Sequence, residues 1–484
     1  MSKFFIPRVV ISALRGSSGK TILSLSLAAL FRRQGLKVTP FKKGPDYIDA
    51  GWLAKAAGGP CFNLDLFMMP RQKVLQSFLS HTADTDIAVI EGNRGLYDGV
   101  DSEGTYSTAG LAKLLNAPVI LIIDCTKATS TVSAIVLGCQ KLDPLVNVRG
   151  VVLNNIANKR QELLIRKAIS RNCRIPVLGA IPKLKEEPFP ERHMGLVPFQ
   201  EHSAVKKSIS RLAEIGSKYL DLNAIWKIAK SAKPIKTGFK GSRVQGFKGW
   251  GLGISEGNKA NPQTLTPKPY LRIGIIRDSA FQFYYPENFE ELERRGVKLI
   301  EISAIKEKKL LDIDALYIGG GFPETHAIAL AGNTAFKKSL CSAVENGLPV
   351  YAECGGLMYL GKSIIMGNKT YPMAGVLPVV FGMEKKPQAH GYTIIEVKKE
   401  NPFFPKGCSL KGHEFHYSKV LELNGAKASM VFRMRRGHGI KDGKDGLCYK
   451  NVLATYTHLH ALGSKEWVDG FIECAAKFRI THRR

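Results

Sequence analysis

A cysteine followed by two glycines, Glu353-Cys354-Gly355-Gly356, stands between a β-rich run (Val350, Tyr351, Ala352) and an apolar one (Leu357 to Leu360). This order of residue types predicts a strand, a sharp turn and the buried start of a helix. Such a turn presents its side chain at the top of a sheet, and a helix N-terminus behind a thiol lowers its pKa, so Cys354 reads as a nucleophile. A merely packed cysteine has no need of bare backbone beside it. Gly355, together with Gly320 and Gly321 of the run Gly319-Gly-Gly-Phe-Pro-Glu324, exposes backbone N–H groups and supplies candidate oxyanion donors; a tight turn after the strand-like Ala315 to Ile318 is the plainer reading of that run. A base must arrive from elsewhere in the chain. Thr457-His458-Leu459-His460, at the tip of a strand pattern from Asn451 to Tyr456, offers His458, with His460 as the alternative.

A second chemistry is written near the N-terminus. The run Leu14-Arg-Gly16-Ser17-Ser18-Gly19-Lys20-Thr21 follows a β-branched stretch and precedes a helical pattern from Ile22 to Arg33. A strand, a glycine-containing loop and a helix make a phosphate cradle. Loop amides and the helix N-terminus bind the anion, Lys20 reaches the β- and γ-phosphates, and the Thr21 hydroxyl takes Mg²⁺. The first glycine of the full loop pattern is replaced by Leu14. Acids recur at later strand ends: Asp46 and Asp49 in Lys43-Gly-Pro-Asp-Tyr-Ile-Asp49, Glu91 after Ile87 to Ile90, and Asp98 in Leu96-Tyr-Asp-Gly99. Each alone reads as a surface group or cap. Together with Lys20 they define one site for a nucleotide, its magnesium and a substrate. Asn154-Asn155, after another strand pattern, suits either the reading of a base edge or a turn.

These residues need a sheet whose strand ends converge. Arg8 to Ala13, Lys37 to Phe41, Ile87 to Ile90, Val119 to Asp124, Val148 to Asn155 and Ile175 to Ile181 are strand patterns separated by helical ones. Their alternation predicts an α/β fold, a doubly wound parallel sheet, over residues 1–229. From 230 to 270 the composition turns to Gly, Ser, Lys and Pro, which cannot bury a core, and reads as a basic linker. A second α/β domain is predicted over 271–484, beginning with the strand Leu271 to Ile276.

Composition narrows the classes. A chain of 484 residues with 44% hydrophobic residues is long enough for two cores. No run reaches the length of a membrane span and no signal peptide pattern precedes the first strand, so a cytoplasmic protein is expected, with no membrane partner. Nine cysteines without CxxC pairs argue against a disulfide framework and a zinc site. The net charge of +29 fits a polyanionic substrate, nucleic acid, or simply solvated basic faces.

The cysteine elbow resembles the nucleophile of class I glutamine amidotransferases, which release ammonia from glutamine through a cysteinyl thioester. End to end, the linker excepted, the chain resembles the cobyrinic acid a,c-diamide synthase family. The resemblance is carried by Gly16 to Thr21, Lys43 to Asp49, Glu91-Gly92, Leu96 to Gly99, Phe281-Gln-Phe-Tyr-Tyr285 with Asn288, Gly319 to Glu324, Glu353 to Gly356 and Tyr456 to His460. It implies an N-terminal P-loop domain similar to dethiobiotin synthetase and a C-terminal class I amidotransferase domain. It also implies ATP, L-glutamine and Mg²⁺ as co-substrates and cofactor, and a polycarboxylate corrinoid amidated at the c and then the a acetate, through acyl phosphates. On that reading Lys20 and Thr21 hold ATP·Mg²⁺; Asp46, Asp49, Glu91 and Asp98 place metal and substrate; Asn154 belongs to the ATP site; Cys354 and His458 make ammonia. A homodimer is a further expectation. Rival readings keep the chemistry on hydrogenobyrinic acid or nickel sirohydrochlorin, or take the chain for a partitioning-type ATPase that binds nucleic acid. One departure from the amidotransferase pattern matters. Two residues after His458, where class I enzymes commonly have an acid, the chain has His460.

Overall fold

Six consecutive buried residues, Arg8–Ala13 (β1), run through the middle of a seven-stranded sheet. β-branched residues on both faces are what a strand covered on both sides selects. In the computed structural model, which describes residues 2–184, 191–192, 195–196, 204–237 and 270–482, the chain divides into two units. The first holds residues 2–66 and 70–237 of the described chain; the second holds 67–69 and 270–482.

In the first unit β1 is joined by β2 (Val38–Lys43), β3 (Phe62–Leu64), β4 (Ile87–Glu91), β5 (Val119–Asp124), β6 (Val148–Ile156) and β7 (Val177–Pro182). The order is β3-β2-β4-β1-β5-β6-β7, with every pair parallel. Helices α1 (Lys20–Arg33), α2 (Ile48–Ala57), α3 (Val205–Tyr219) and α4 (Leu222–Lys230) contribute to one apolar core with β1 and its neighbours. The parallel arrangement delivers the ends of β1, β2 and β4 to one edge, where ligands of open α/β sheets bind.

The expected linker begins too early. Residues 231–237 are tied to the first unit: the buried Arg8 guanidinium donates to Lys233 O, Asn116 Nδ2 donates to Pro234 O at 3.2 Å, and Ile235–Thr237 pairs antiparallel with Ser2–Phe4. Lys and Pro in that stretch read as a tether, but its anchors are backbone carbonyls, which composition does not reveal. The remainder of the linker, 238–269, lies outside the described residues.

The second unit is built on a ten-stranded mixed sheet. Its strands are β8 (Leu271–Ile276), β9 (Val297–Ile302), β10 (Ala315–Ile318), β11 (Val350–Glu353), β12 (Ala389–Val397), β13 (Ser409–His416), β14 (Ser429–Arg436), β15 (Lys444–Tyr449), β16 (Val452–Thr455) and β17 (His458–Leu459). They lie in the order β9-β8-β10-β11-β16-β15-β14-β12-β13-β17. The pairs from β9 to β16 are parallel and the rest antiparallel. Residues on the two faces fall in separate apolar clusters, one holding Val350, Ala352 and Cys354, the other Tyr317, Tyr351 and Trp467. Among the described residues no helix is long and apolar enough to cross a membrane.

Candidate active sites

The phosphate loop between β1 and α1 needs two left-handed residues, Ser17 (φ 54°) and Gly19 (φ 98°). Gly19 has a second reason to be glycine, since a Cβ there would stand 2.5 Å from Asn154 Nδ2. That amide donates to Ser18 O at 3.1 Å, so Asn154 buttresses the loop from beneath. Asn155 holds a left-handed turn (φ 59°) and donates to Asp124. Lys20, 7% exposed, lies across its own loop and donates to Arg15 O at 2.8 Å.

Around it the structure gathers the sequence-predicted acids. Lys42, on β2, places its Nζ 2.6 Å from both Asp49 Oδ2 and Glu91 Oε1, and 4.0 Å from Asp46. The Thr21 hydroxyl donates to Glu91 at 2.9 Å. Asp46 instead caps the start of α2, accepting from Ile48 N and Asp49 N. Asp98 accepts from Gly95 N, and its charge acts on Lys20.

Burial sets the electrostatics, and Lys42 decides between the acids. Desolvation opposes the Lys42 charge, but Asp49, Glu91 and Asp46 outweigh it and hold the ammonium well above its ordinary value. Burial likewise works against Asp49, yet the Lys42 ammonium keeps it below the usual carboxylate range. Glu91 is raised by burial, and Asp46 is pushed up to about 7 by burial and the neighbouring Asp49 charge. A third of the Asp46 side chain still meets solvent, which tempers that shift. Lys20 is brought down to about 8 by burial, then by repulsion from Lys42.

In the second unit Cys354 sits at the strand-turn-helix elbow between β11 and a short helix, α5 (Gly355–Leu360), with φ 48° and ψ −99°. A non-glycine residue in that region is strained by about 1–3 kcal/mol and is held there only by its surroundings. Cys354 N donates to Thr455 O at 2.8 Å and its Sγ points to Phe415 O at 3.8 Å. One expectation is reversed. Burial pushes the thiol well up, and the charges of Glu324, Glu353 and Glu414 add to this against the Gly355 N–H. A six-residue helix offers too little to offset them. The Cys354 side chain is therefore held as a neutral thiol.

His458 arrives on β17. Asp445, buried and raised to about 6 by that burial, pins the preceding turn by accepting from Thr455 Oγ1, Tyr456 N and Thr457 N. The His458 Nδ1 lies 3.2 Å from Glu353 Oε2. Gly320 is pressed against the imidazole, where a Cβ would stand 2.5 Å from Cε1 and 3.3 Å from Nε2. Gly355 approaches Gly321, its missing Cβ falling 3.0 Å from Gly321 N. Gly321 and Gly355 thus lie side by side at the elbow, and the bare backbone of Gly320 lies against the ring. His460 belongs elsewhere, with Nδ1 accepting from Leu462 N and Nε2 3.6 Å from the buried Glu287.

A sequence profile described as "CobQ/CobB/MinD/ParA nucleotide binding domain" matches residues 9–196, and one described as "CobB/CobQ-like glutamine amidotransferase domain" matches 272–466. The cobyrinate a,c-diamide synthase of Magnetococcus marinus is 42% identical over 468 residues, 96% of this chain and 96% of that protein. The enzyme of the same name from Archaeoglobus fulgidus is 37% identical over 473 residues, 98% of each. The chain belongs to the cobyrinate a,c-diamide synthase family. Members are ligases that form carbon–nitrogen bonds with glutamine as nitrogen donor, and both units of this one carry the fold that work requires.

Against that family assignment, three residues emerge that the sequence left without a role: Lys42, Glu353 and His413. Lys42 is one of two adjacent lysines, and only β2's register turns it, rather than Lys43, onto Asp49 and Glu91. His413 lies opposite His458 across the β13–β17 ladder, its ring stacked at 4.9 Å and its charge suppressed by burial. No spacing rule links residues 45 positions apart.

The donor set at the phosphate loop fits Mg²⁺. Among the described residues Glu91 Oε2 is buried and meets no hydrogen-bond partner, and the Thr21 hydroxyl stands beside the same carboxylate. Among the described residues no group of three or more His, Cys, Asp or Glu forms a metal cage. Mg²⁺ takes one or two carboxylates and completes its shell with phosphates and water.

Lys42→Met should show how far the acids depend on their counter-charge. Removing one partner of a buried pair costs about 3–5 kcal/mol. Without the ammonium the folded-state carboxyl pKa values rise above their unfolded values, so the variant's stability is greatest at low pH and lost as pH rises. Urea unfolding should show a larger deficit at about pH 8 than at about pH 5. An equal midpoint for variant and parent at both pH values would remove Lys42 from this role.

Proposed function

We propose that the chain catalyses ATP- and glutamine-dependent amidation of the c and then the a acetate of cobyrinic acid, in corrinoid synthesis. The observation that carries this is the near-complete alignment with enzymes named cobyrinate a,c-diamide synthase, over both units and their sites. In the first unit Lys20 and the loop amides bind the triphosphate. An acetate oxygen attacks the γ-phosphorus, ADP leaves, and an acyl phosphate forms. Thr21, Glu91 and Asp49 are the residues that would hold Mg²⁺, whose charge would stabilise the phosphoryl group in transit. Lys42 lies between the two acids and offers a fixed positive charge to the same group. Ammonia then attacks the acyl carbon and phosphate departs, leaving the amide.

In the second unit His458 takes the Cys354 proton as sulfur attacks the carboxamide carbon of glutamine. The oxyanion is met by the N–H groups of Gly321 and Gly355, ammonia leaves with the proton returned from His458, and water hydrolyses the thioester to glutamate. Net charge of +29 favours the approach of a polycarboxylate. Mass spectrometry of reactions containing ATP, Mg²⁺ and glutamine tests this. Cobyrinic acid should lose two carboxyl hydroxyls in succession to amide nitrogen. Turnover of hydrogenobyrinic acid or nickel sirohydrochlorin alone would replace the substrate, and ATP-independent or absent amidation of all three would overturn the reading.

A further inference from the structure

We infer that Glu353, the residue immediately before the nucleophile, is the positioning acid for His458, replacing the acid that class I amidotransferases commonly carry two residues after the histidine. The inference rests on the glutaminase reading of the second unit. Position 460 holds a histidine engaged with Leu462 N and Glu287, so it does not serve His458. Glu353 does. It is 1% exposed, and its Oε2 lies 3.2 Å from His458 Nδ1 and 3.1 Å from the Tyr317 hydroxyl, while Oε1 accepts from Leu459 N at 3.1 Å. Tyr317 is itself met by Asn288 Nδ2, and Asn288 binds Leu459 O and Ala461 N, so carboxylate and histidine-bearing segment are fixed in one network.

The chemistry follows from what each atom can do. A carboxylate only accepts, so Nδ1 of His458 carries the hydrogen and Nε2 presents its lone pair on the side where Gly320 leaves space. That tautomer is the one able to take the thiol proton. Once the proton moves, the imidazolium faces a buried carboxylate, an interaction stronger in the transition state than before it. The need is acute here because burial keeps Cys354 protonated at rest. Strand alternation explains how adjacent residues serve one ring. Glu353 shares the face of Tyr351 and Tyr317, while Cys354, past the turn, joins the opposite face.

Glu353→Gln in the full chain tests the assignment. A glutamine amide donating to Nδ1 selects the wrong tautomer, so kcat for glutamate release should fall roughly 10²- to 10⁴-fold. KM for glutamine should change little, because the side chain stands behind the imidazole and away from substrate. Glu353→Asp should recover part of kcat. If Glu353→Gln keeps the parental kcat, or loses KM and kcat together with no recovery by aspartate, the assignment is overturned. A second measurement reads the tautomer in the parent protein itself. In ¹⁵N-histidine spectra the resonances absent from His458→Gln should show a protonated Nδ1 and a bare Nε2; the reverse tautomer overturns the proposal. Glutamine use surviving in Cys354→Ala is a different failure, that of the glutaminase reading itself.

Discussion

Lys20→Ala should abolish amide formation from glutamine and from ammonium salts alike, while glutamate release from glutamine persists. Both nitrogen sources need the activated carboxylate, and activation needs the triphosphate held by Lys20. Losing a single preorganised donor to a developing charge typically costs about 10²- to 10³-fold, and Lys20 also anchors the ground state, so the fall should be at least that large. The same substitution should stabilise the fold. Burial, then Lys42, lowers the Lys20 ammonium to about 8. A lysine depressed in the folded state weakens the fold where it must stay charged, below that value, and the penalty fades as pH rises toward the ordinary lysine value of about 10.5. The gain in melting temperature should therefore be largest near neutrality and shrink in alkali. Product formation at the parental rate would remove Lys20 from the ATP site.

Cys354→Ala should delete glutamine-dependent amidation and spare the ammonium-dependent reaction, with ATP still consumed. Ammonium salt at high pH supplies free ammonia directly, so the first unit needs nothing from the thiol. Stability should change little, because only one sulfur is removed and the backbone strain at φ 48° remains for alanine. Glycine relieves that strain. Cys354→Gly should be the more stable of two equally inactive variants, by about 1 kcal/mol. His458→Ala should copy the Cys354→Ala pattern, and a larger loss from His460→Ala would transfer the base to that residue. Glutamine use at the normal rate by Cys354→Ala would undo the division of labour between the two units.

Local order in the chain was enough to read both cradles. Gly16 to Thr21 after a β-branched run, and Cys354 with two glycines after another, are patterns in which sterics and hydrogen bonding leave few backbone paths, so elbow and loop lie where their residues predicted. Most parallel strands of both units were legible for a related reason: strands buried on both faces must be apolar throughout, and turns interrupt them visibly; the three-residue β3 and the half-exposed β9 carry no such signal. Tertiary structure decided the partners. Which of two histidines meets Glu353 and which of two lysines meets Asp49 and Glu91 both depend on strand register, since a one-residue shift reverses the face of every side chain. Glu353 was in plain view beside the nucleophile, yet only the pairing of β11 with β16 brings it under a ring 105 positions away. The state of the thiol was equally out of reach of the sequence, because it depends on desolvation and on the charges of Glu324 and Glu414, which the fold brings in from distant parts of the chain.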